Sequence, residues 1–327
     1  MTVTGSVAGP LREELADYLA LRRSLGYRLA RPEKLLGQFL NHLERVGQST
    51  VTVAAALDWA RLPATSASGG SNWWAYRLSA VRGFATYLHA IDPVHEVPAT
   101  DLLPHRPLRA SPYLYSDAEV AALIAATSTL RTPLRRATFT TLIGLLAVTG
   151  LRVGEAIALD RGDVALPAED HATGRLLVRH GKFGKARELA LHPSTVEALR
   201  RYQRLRDRLA PATGTSALFV STAGTRLIYC NVHHAFHRLV RIAGLTPRSA
   251  TCRPRIHDLR HSFAVRAMLD AYAAGQDGQT RLTLLSTWLG HVHPGSTYWY
   301  LSASPELMAV AGQRLNAYLT AQSLVRS

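Results

Sequence analysis

A chain of 327 residues is long enough for two domains with cores of their own, and a hydrophobic fraction of 47% is that of an ordinary globular protein. The formal net charge of +15 favours a polyanionic partner, of which nucleic acid is the commonest. Two cysteines, Cys230 and Cys252, exclude a disulfide framework; no pair is spaced for zinc, no apolar run is long enough to span a membrane, and the N-terminus lacks a signal pattern, so a cytoplasmic protein is expected.

The charge is uneven. Residues 1–110 hold 12 Lys and Arg against 9 Asp and Glu, whereas residues 111–327 hold 26 against 14. The second part should therefore carry most of the grip on a polyanion. Residues 1–100 read as four helices. Pro10 opens the first, over Leu11–Leu25, with Leu11, Leu15, Tyr18 and Leu19 on one stripe. The second runs from Pro32 to about Val46, with Leu35, Leu36, Phe39, Leu40 and Leu43 apolar. Thr52 caps the third, Val53–Arg61. Asn72 caps the longest, Trp73 to about Ala90, where Trp74, Leu78, Val81, Ala85 and Leu88 recur at helical spacing. Arg77 and Arg82 lie off that stripe and are candidate phosphate contacts.

Five prolines punctuate residues 92–115, which predicts an extended linker and a domain boundary near residue 110. Ser116 and Glu119 form a capping box that opens a new helix. A helix over residues 133–150 ends at Gly150, with Arg152 just beyond and Glu155 three residues on, able to pair with it. Two short strands, Leu176–Arg179 and Ala186–Leu191, flank the turn Gly181-Lys182-Phe183-Gly184-Lys185. Lys34, Lys182 and Lys185 are the chain's only lysines. Two of the three fall on this turn, and lysine can give up a proton where arginine cannot, so a general acid is the role this placement suggests. A helix over residues 231–243 carries His233, His234, His237, Arg238 and Arg241. A zinc pair at His233 and His237 lacks the glutamate of a metalloprotease helix, and a face toward DNA or solvent is favoured. A polar loop, Gln276–Gln279, precedes a helix over Leu282–Leu289. The last helix should run from Pro305 to about Ala321. The fold class is mainly α with a small antiparallel β-sheet.

The patterned segments come as a set. Thr149-Gly150-Leu151-Arg152-Val153-Gly154-Glu155 precedes the lysine turn; Ile256-His257-Asp258-Leu259-Arg260-His261 follows it; Leu289-Gly290-His291 and Tyr300 come last. The spacing of His257 and Arg260 puts both on one helix face. A planar guanidinium grips two oxygens of a phosphate. A phosphodiester is the substrate that such residues suit.

Over roughly residues 114–320 these segments resemble the tyrosine recombinase (phage integrase) family of site-specific DNA recombinases, and the first 100 residues resemble, more loosely, its helical core-binding domain. The resemblance implies a core-binding, DNA-contacting domain over residues 1–110 with its linker, and a tyrosine-recombinase catalytic domain with a terminal interaction helix over residues 111–327. It assigns the catalytic set to Arg152, Lys182, His257, Arg260, His291 and the nucleophile Tyr300, with Glu155 supporting Arg152. Lys185, Arg238 and Arg241 join Arg77 and Arg82 as DNA-contact candidates. Phe183 stands where a glycine is usual in the hairpin, and the stretches before Lys182 and before His291 are lengthened. The implied reaction forms a covalent 3′-phosphotyrosyl link and needs neither metal nor nucleotide. The implied partner is double-stranded DNA with specific recombination sites, bound by a tetramer of this chain, with a monomer expected when free and nucleoid association when on DNA. Two rivals use the same fold: a type IB topoisomerase, which relaxes supercoils, and a non-catalytic DNA-binding protein.

Overall fold

The computed structural model describes residues 9–63, 71–103, 110–167, 169, 172–179, 181, 186–210, 214–291, 295, 297–298, 307–310, 312–313 and 316. The chain divides into two compact units, Met1–Arg109 and Ala110–Ser327.

Within the first unit the apolar stripes become a four-helix core. Helices α1 (Gly9–Ser24), α2 (Ala30–Arg45), α3 (Val53–Arg61) and α4 (Ser71–Ile91) follow one another. Leu11, Leu15, Tyr18 and Leu19 of α1 are buried, as are Leu35, Leu36, Phe39, Leu40 and Leu43 of α2. Thr52 Oγ1 accepts from the Ala55 amide at 3.2 Å and caps α3. Helix α2 starts two residues ahead of Pro32, after Leu29 in the left-handed region (φ 42°). On α4 Phe84 is fully buried while Trp74 is only partly covered.

Arg77 corrects the sequence reading. Its residue is buried, its guanidinium lies 4.0 Å over the Trp59 ring, and Nη1 donates to the carbonyls of Ala60 and Leu62 at 3.3 and 2.9 Å. It satisfies the last carbonyls of α3, which have no intrahelical donor, rather than facing phosphate. Arg82 is also engaged: Nε and Nη2 donate to the carbonyls of Pro98 and Ala99 at 2.7 and 2.6 Å, tying down the segment after α4.

In the second unit the predicted capping box closes α5 (Asp117–Ala126): Ser116 Oγ accepts from Glu119 N at 3.2 Å and Glu119 Oε2 from Ser116 N at 2.8 Å. Helix α6 (Pro133–Thr149) and the short α7 (Val153–Ala158) lead into an antiparallel sheet of β1 (Val164–Ala165), β2 (Gly174–Val178) and β3 (Arg187–Leu191) in that order. Leu176 pairs with Leu189, and Val178 with Arg187. Then come α8 (Pro193–Leu209), α9 (Tyr229–Ile242), α10 (Asp258–Ala273) and α11 (Gly278–Leu289).

Strand β1 and helix α8 were not foreseen. A strand of two residues has no period to read. Helix α8 buries Val196, Leu199 and Tyr202, but the next inward position is Arg206, which donates to the Ala217 carbonyl at 2.9 Å. An arginine in the apolar stripe masks it. Helix α11 begins inside the expected polar loop, because Asp277 Oδ2 accepts from Thr280 N at 2.7 Å and caps it there. Of the expected terminal helix, residues 307–310 are helical and Leu307 packs with Val265, Met268 and Leu285; most of the rest lies outside the described residues.

Gly150 ends α6 in the left-handed conformation (φ 63°), and a Cβ there would stand 2.5 Å from Cδ1 of Phe263. Gly154, two residues into α7, faces open space. Gly150→Ala should therefore destabilise the second unit by about 2 kcal/mol or more, whereas Gly154→Ala should not destabilise it. Urea unfolding of the two variants checks this; equal midpoints would show that the turn tolerates a side chain.

Candidate active site

The site is built on two left-handed turns. The first, after α6, leaves Arg152 extended (φ −69°, ψ 144°) at the mouth of α7. Glu155 closes back on it: Oε2 accepts the Arg152 amide at 3.0 Å and Oε1 accepts Arg152 Nη1 at 2.8 Å. Arginine cannot accept in return, so only the acid's half of a capping box forms. A second guanidinium meets the same carboxylate. Arg187 Nη1 donates to Oε1 at 3.1 Å and Nη2 to Oε2 at 2.8 Å. Burial alone would raise the Glu155 carboxyl. The hydrogen bond and charge of Arg187, with Arg152 behind them, bring it down to about 2, so it is ionised.

The second turn, Gly290 at φ 67°, ends α11 and presents His291. Arg260, on the first turn of α10, is 1% exposed and joins the two turns. Nη1 donates to the Gly150 carbonyl at 2.7 Å and Nη2 to the Leu289 carbonyl at 2.6 Å. Nη2 also lies 3.0 Å from His291 Nε2. A guanidinium only donates, so Nε2 accepts; Nδ1 then carries the proton and donates to Thr297 Oγ1 at 2.8 Å. Trp288 fastens the turns again, its Nε1 donating to the Thr149 carbonyl at 2.8 Å. From the far side Ser262 Oγ accepts the Tyr115 amide at 2.7 Å, which fixes α10 to the start of the unit.

His257 stands at the N-cap of α10 and stays exposed at its outer surface. Crowding by the surrounding protein, then the positive charges of Arg260, Arg152 and Arg255, push it down to about 4. His261, edge-on to it at a ring separation of 5.3 Å, is buried and pushed down to about 3 by burial and then by His257, Arg255 and Arg260. Both rings are neutral at pH 7 and lie among fixed positive charges. Such a place favours an anion.

Arg152, Glu155, His257, Arg260 and His291 are thus brought together. Lys182, Lys185 and Tyr300 lie outside the described residues. The segment that carries the lysines leaves from Val178 and returns at its strand partner Arg187. Beside Tyr300, Thr297 is buried and Tyr298 is exposed. Arg238 and Arg241 are exposed on α9. His233 and His237 contact each other there, Nε2 to Nε2 at 3.1 Å, and among the described residues no group of three or more His, Cys, Asp or Glu is placed to hold a metal ion.

Sequence reasoning missed Arg187, Trp288 and Thr297. Arg187 had a signal: it alternates with Leu189 and Leu191, which β3 buries, so it is an arginine on the inward face of a strand. Trp288 and Thr297 had none: Trp288 acts through a backbone carbonyl 139 residues away, and Thr297 through the ring of His291, 6 residues back, in a stretch with no periodic pattern.

Residues 114–306 match the profile of the Phage integrase family. The chain is 40% identical over 310 residues to the protein named integrase/recombinase y4rB of Sinorhizobium fredii, covering 93% of this chain and 96% of that one. It is 33% identical over 223 residues to tyrosine recombinase XerC of Azotobacter vinelandii, covering 68% and 67%. Among solved structures, XerH recombinase in a post-cleavage complex with its palindromic difH substrate shares the fold, with a TM-score of 0.60 at 18% identity over 86% of this chain and 78% of that one. Fold, site and relatives define an enzyme that exchanges DNA strands. The chain belongs to the phage integrase family and is a tyrosine-type site-specific recombinase.

His257 gives a direct check on the site. Its imidazole should titrate near pH 4 in the free protein and higher once a DNA phosphate lies beside it. Between its ordinary value and 4 the unfolded chain binds a proton that the folded site refuses, so the unit should also lose stability as pH falls through that window. NMR titration of the ring measures the first effect; an ordinary titration would show that the ring is neither crowded by the protein nor set among the positive charges described.

Proposed function

We propose that the chain cleaves and rejoins DNA through a 3′-phosphotyrosyl link at Tyr300. The observation that carries this reading is the convergence of Arg152, Arg260, His257 and His291 on the two turns, with Glu155 ionised behind Arg152. Tyr300 supplies the phenol oxygen that attacks phosphorus. The P–O5′ bond breaks as the P–O bond to Tyr300 forms. Arg152 and Arg260 neutralise charge developing on the non-bridging oxygens, usually the largest single contribution in such catalysis. His257, held neutral, is in the state that can accept the phenol proton. Lys182 gives its proton to the leaving 5′-oxygen. The covalent link keeps the bond energy, so a 5′-hydroxyl from another strand can reverse the step.

His291 changes partner along the way. Its Nε2 accepts from Arg260 in the free protein. A phosphate oxygen that accepts from both side chains replaces that contact, and His291 then donates from Nε2, with Thr297 Oγ1 still bonded to Nδ1. The first unit serves as the core-binding domain, and its DNA face lies on residues other than Arg77. The exposed Arg238 and Arg241 on α9 face phosphate, as does Lys185. Exchange breaks four strands, so a tetramer on two sites is the working form, and its cyclic interface is heterologous.

Two variants test the chemistry. Tyr300→Phe should abolish covalent attachment to a nicked duplex while leaving binding nearly unchanged, and Tyr298→Phe should keep the adduct. The reverse pattern would move the nucleophile to Tyr298.

Lys182→Arg keeps the charge and loses the acid. Cleavage should slow by about 100-fold or more, within the range for general acid catalysis. A substrate with sulfur at the 5′-bridging position has a better leaving group and should restore the rate. Equal defects on both substrates would remove Lys182 from that role. Joining of two duplexes, read on a gel, separates recombination from supercoil relaxation alone.

A further inference from the structure

We propose that Arg187 is a positioning residue: it holds the Glu155 carboxylate against Arg152 and clamps the turn that presents His291. The inference rests on the reading that Arg152 and His291 touch the scissile phosphate.

The geometry is specific to a planar, three-pronged donor. Arg187 sits at the first position of β3, on the strand's inward face, with its side chain 11% exposed. Two of its nitrogens take both oxygens of Glu155, and the third, Nε, donates to the Trp288 carbonyl at 2.8 Å. One side chain thereby bridges β3, α7 and the end of α11. Its guanidinium also lies close against Gly290. A Cβ on that glycine would stand 2.9 Å from Arg187 Nη1, 3.2 Å from Cζ and 3.3 Å from Cδ. The glycine before His291 therefore serves two ends: it takes the left-handed turn and leaves room for Arg187.

Consider Glu155 without this partner. It would be a buried carboxylate held from one side by Arg152. Arg152, whose side chain keeps 23% exposure toward solvent, would then lose a fixed anchor for the end that meets phosphate. The Trp288–Gly290 turn would lose its tie to the sheet, leaving His291 held by Arg260 and Thr297. A lysine could not replace these bonds, since one ammonium cannot span a carboxylate and a carbonyl in this fixed fork.

A merely structural ion pair predicts different behaviour, and a double-mutant cycle separates the two. Wild type, Arg187→Gln, Glu155→Gln and the double variant are compared for DNA affinity by mobility shift. Single-turnover adduct formation on a nicked duplex is measured at saturating protein, with Tyr300→Phe as the blank. R187Q should bind DNA within about threefold of wild type and form adduct about 10- to 100-fold more slowly, as misplacement of reacting groups does. In the E155Q background the same change should cost no more than about threefold, because the two residues act as one unit.

The acid limb of the rate should also move. Glu155 is faced by Arg152 from its own helix, Arg187 from β3 and His257 from the start of α10, and it shares a small cleft with Asp160, Asp163 and Arg179. Losing Arg187 removes the foremost of the contacts that keep it ionised, so protonation and loss of rate should occur at higher pH in R187Q.

Rates that multiply in the double variant, an unmoved acid limb, or a wild-type rate for R187Q would each overturn the proposal. Should R187Q fail to fold, Arg187→Lys is carried through the same cycle, and a full rate there would show that charge alone suffices. An adduct that persists in the Tyr300→Phe blank, or no adduct from the wild-type chain, would instead overturn the underlying chemistry.

Discussion

Burying an arginine costs several kcal/mol unless its charge and its N–H groups are met, and Arg260 is almost fully enclosed. The carbonyls that meet it come from Gly150 and Leu289, each next to or within a left-handed turn. Those carbonyls are left over at helix ends, where no intrahelical donor remains. The fold thus uses the unsatisfied ends of α6 and α11 to satisfy the N–H groups of a buried guanidinium. Arg152 and His291 sit one or two residues past these ends, so the bonds that bury Arg260 also set where its neighbours point.

The motifs were legible in the sequence because backbone geometry dictates them. Gly150 and Gly290 are required by positive φ and by close neighbours, Phe263 for one and Arg187 for the other. Ser116 with Glu119, and Arg152 with Glu155, follow from local spacing. The apolar stripes of α1 and α2 follow from helical period. What stayed hidden was polar burial. Arg77, against Trp59, reads in the sequence as a phosphate contact, and Arg206 inside α8 and Arg187 behind Glu155 go unremarked in a basic chain. Each is buried because it satisfies a carbonyl or carboxylate supplied by a different element. Composition had the same blind spot, since part of the +15 charge is spent inside the protein rather than offered to DNA.

The electrostatics of the site follow from how few negative charges are placed in it. Glu155 is shared between Arg152 and Arg187. Asp258 is taken by Arg255, whose Nε and Nη2 lie 2.9 and 2.8 Å from its oxygens. His257 and His261 stay neutral, first because the surrounding protein keeps water from a charged ring and then because each added proton would be repelled by its positive neighbours. A phosphodiester entering this field reverses the balance: it pairs the arginines and makes protonation of the nearby rings easier. Substrate binding and the protonation of the histidines are therefore linked in sign, each favouring the other.

This linkage runs through the two hydrogen bonds of His291. With His291 Nε2 accepting from Arg260, the pair is satisfied internally and its hydrogen bond is directed at protein, not solvent. Thr297 holds the other nitrogen, three residues before Tyr300. When an anion takes the Arg260 donor, His291 meets it from Nε2–H, either as an imidazolium or as the other neutral tautomer with Thr297 Oγ1 donating to Nδ1. Thr297 answers either change, because its hydroxyl can accept from Nδ1 or donate to it. The same two hydrogen bonds thus link the guanidinium on α10, through His291, to Thr297. Arg260 is the group through which the connection starts.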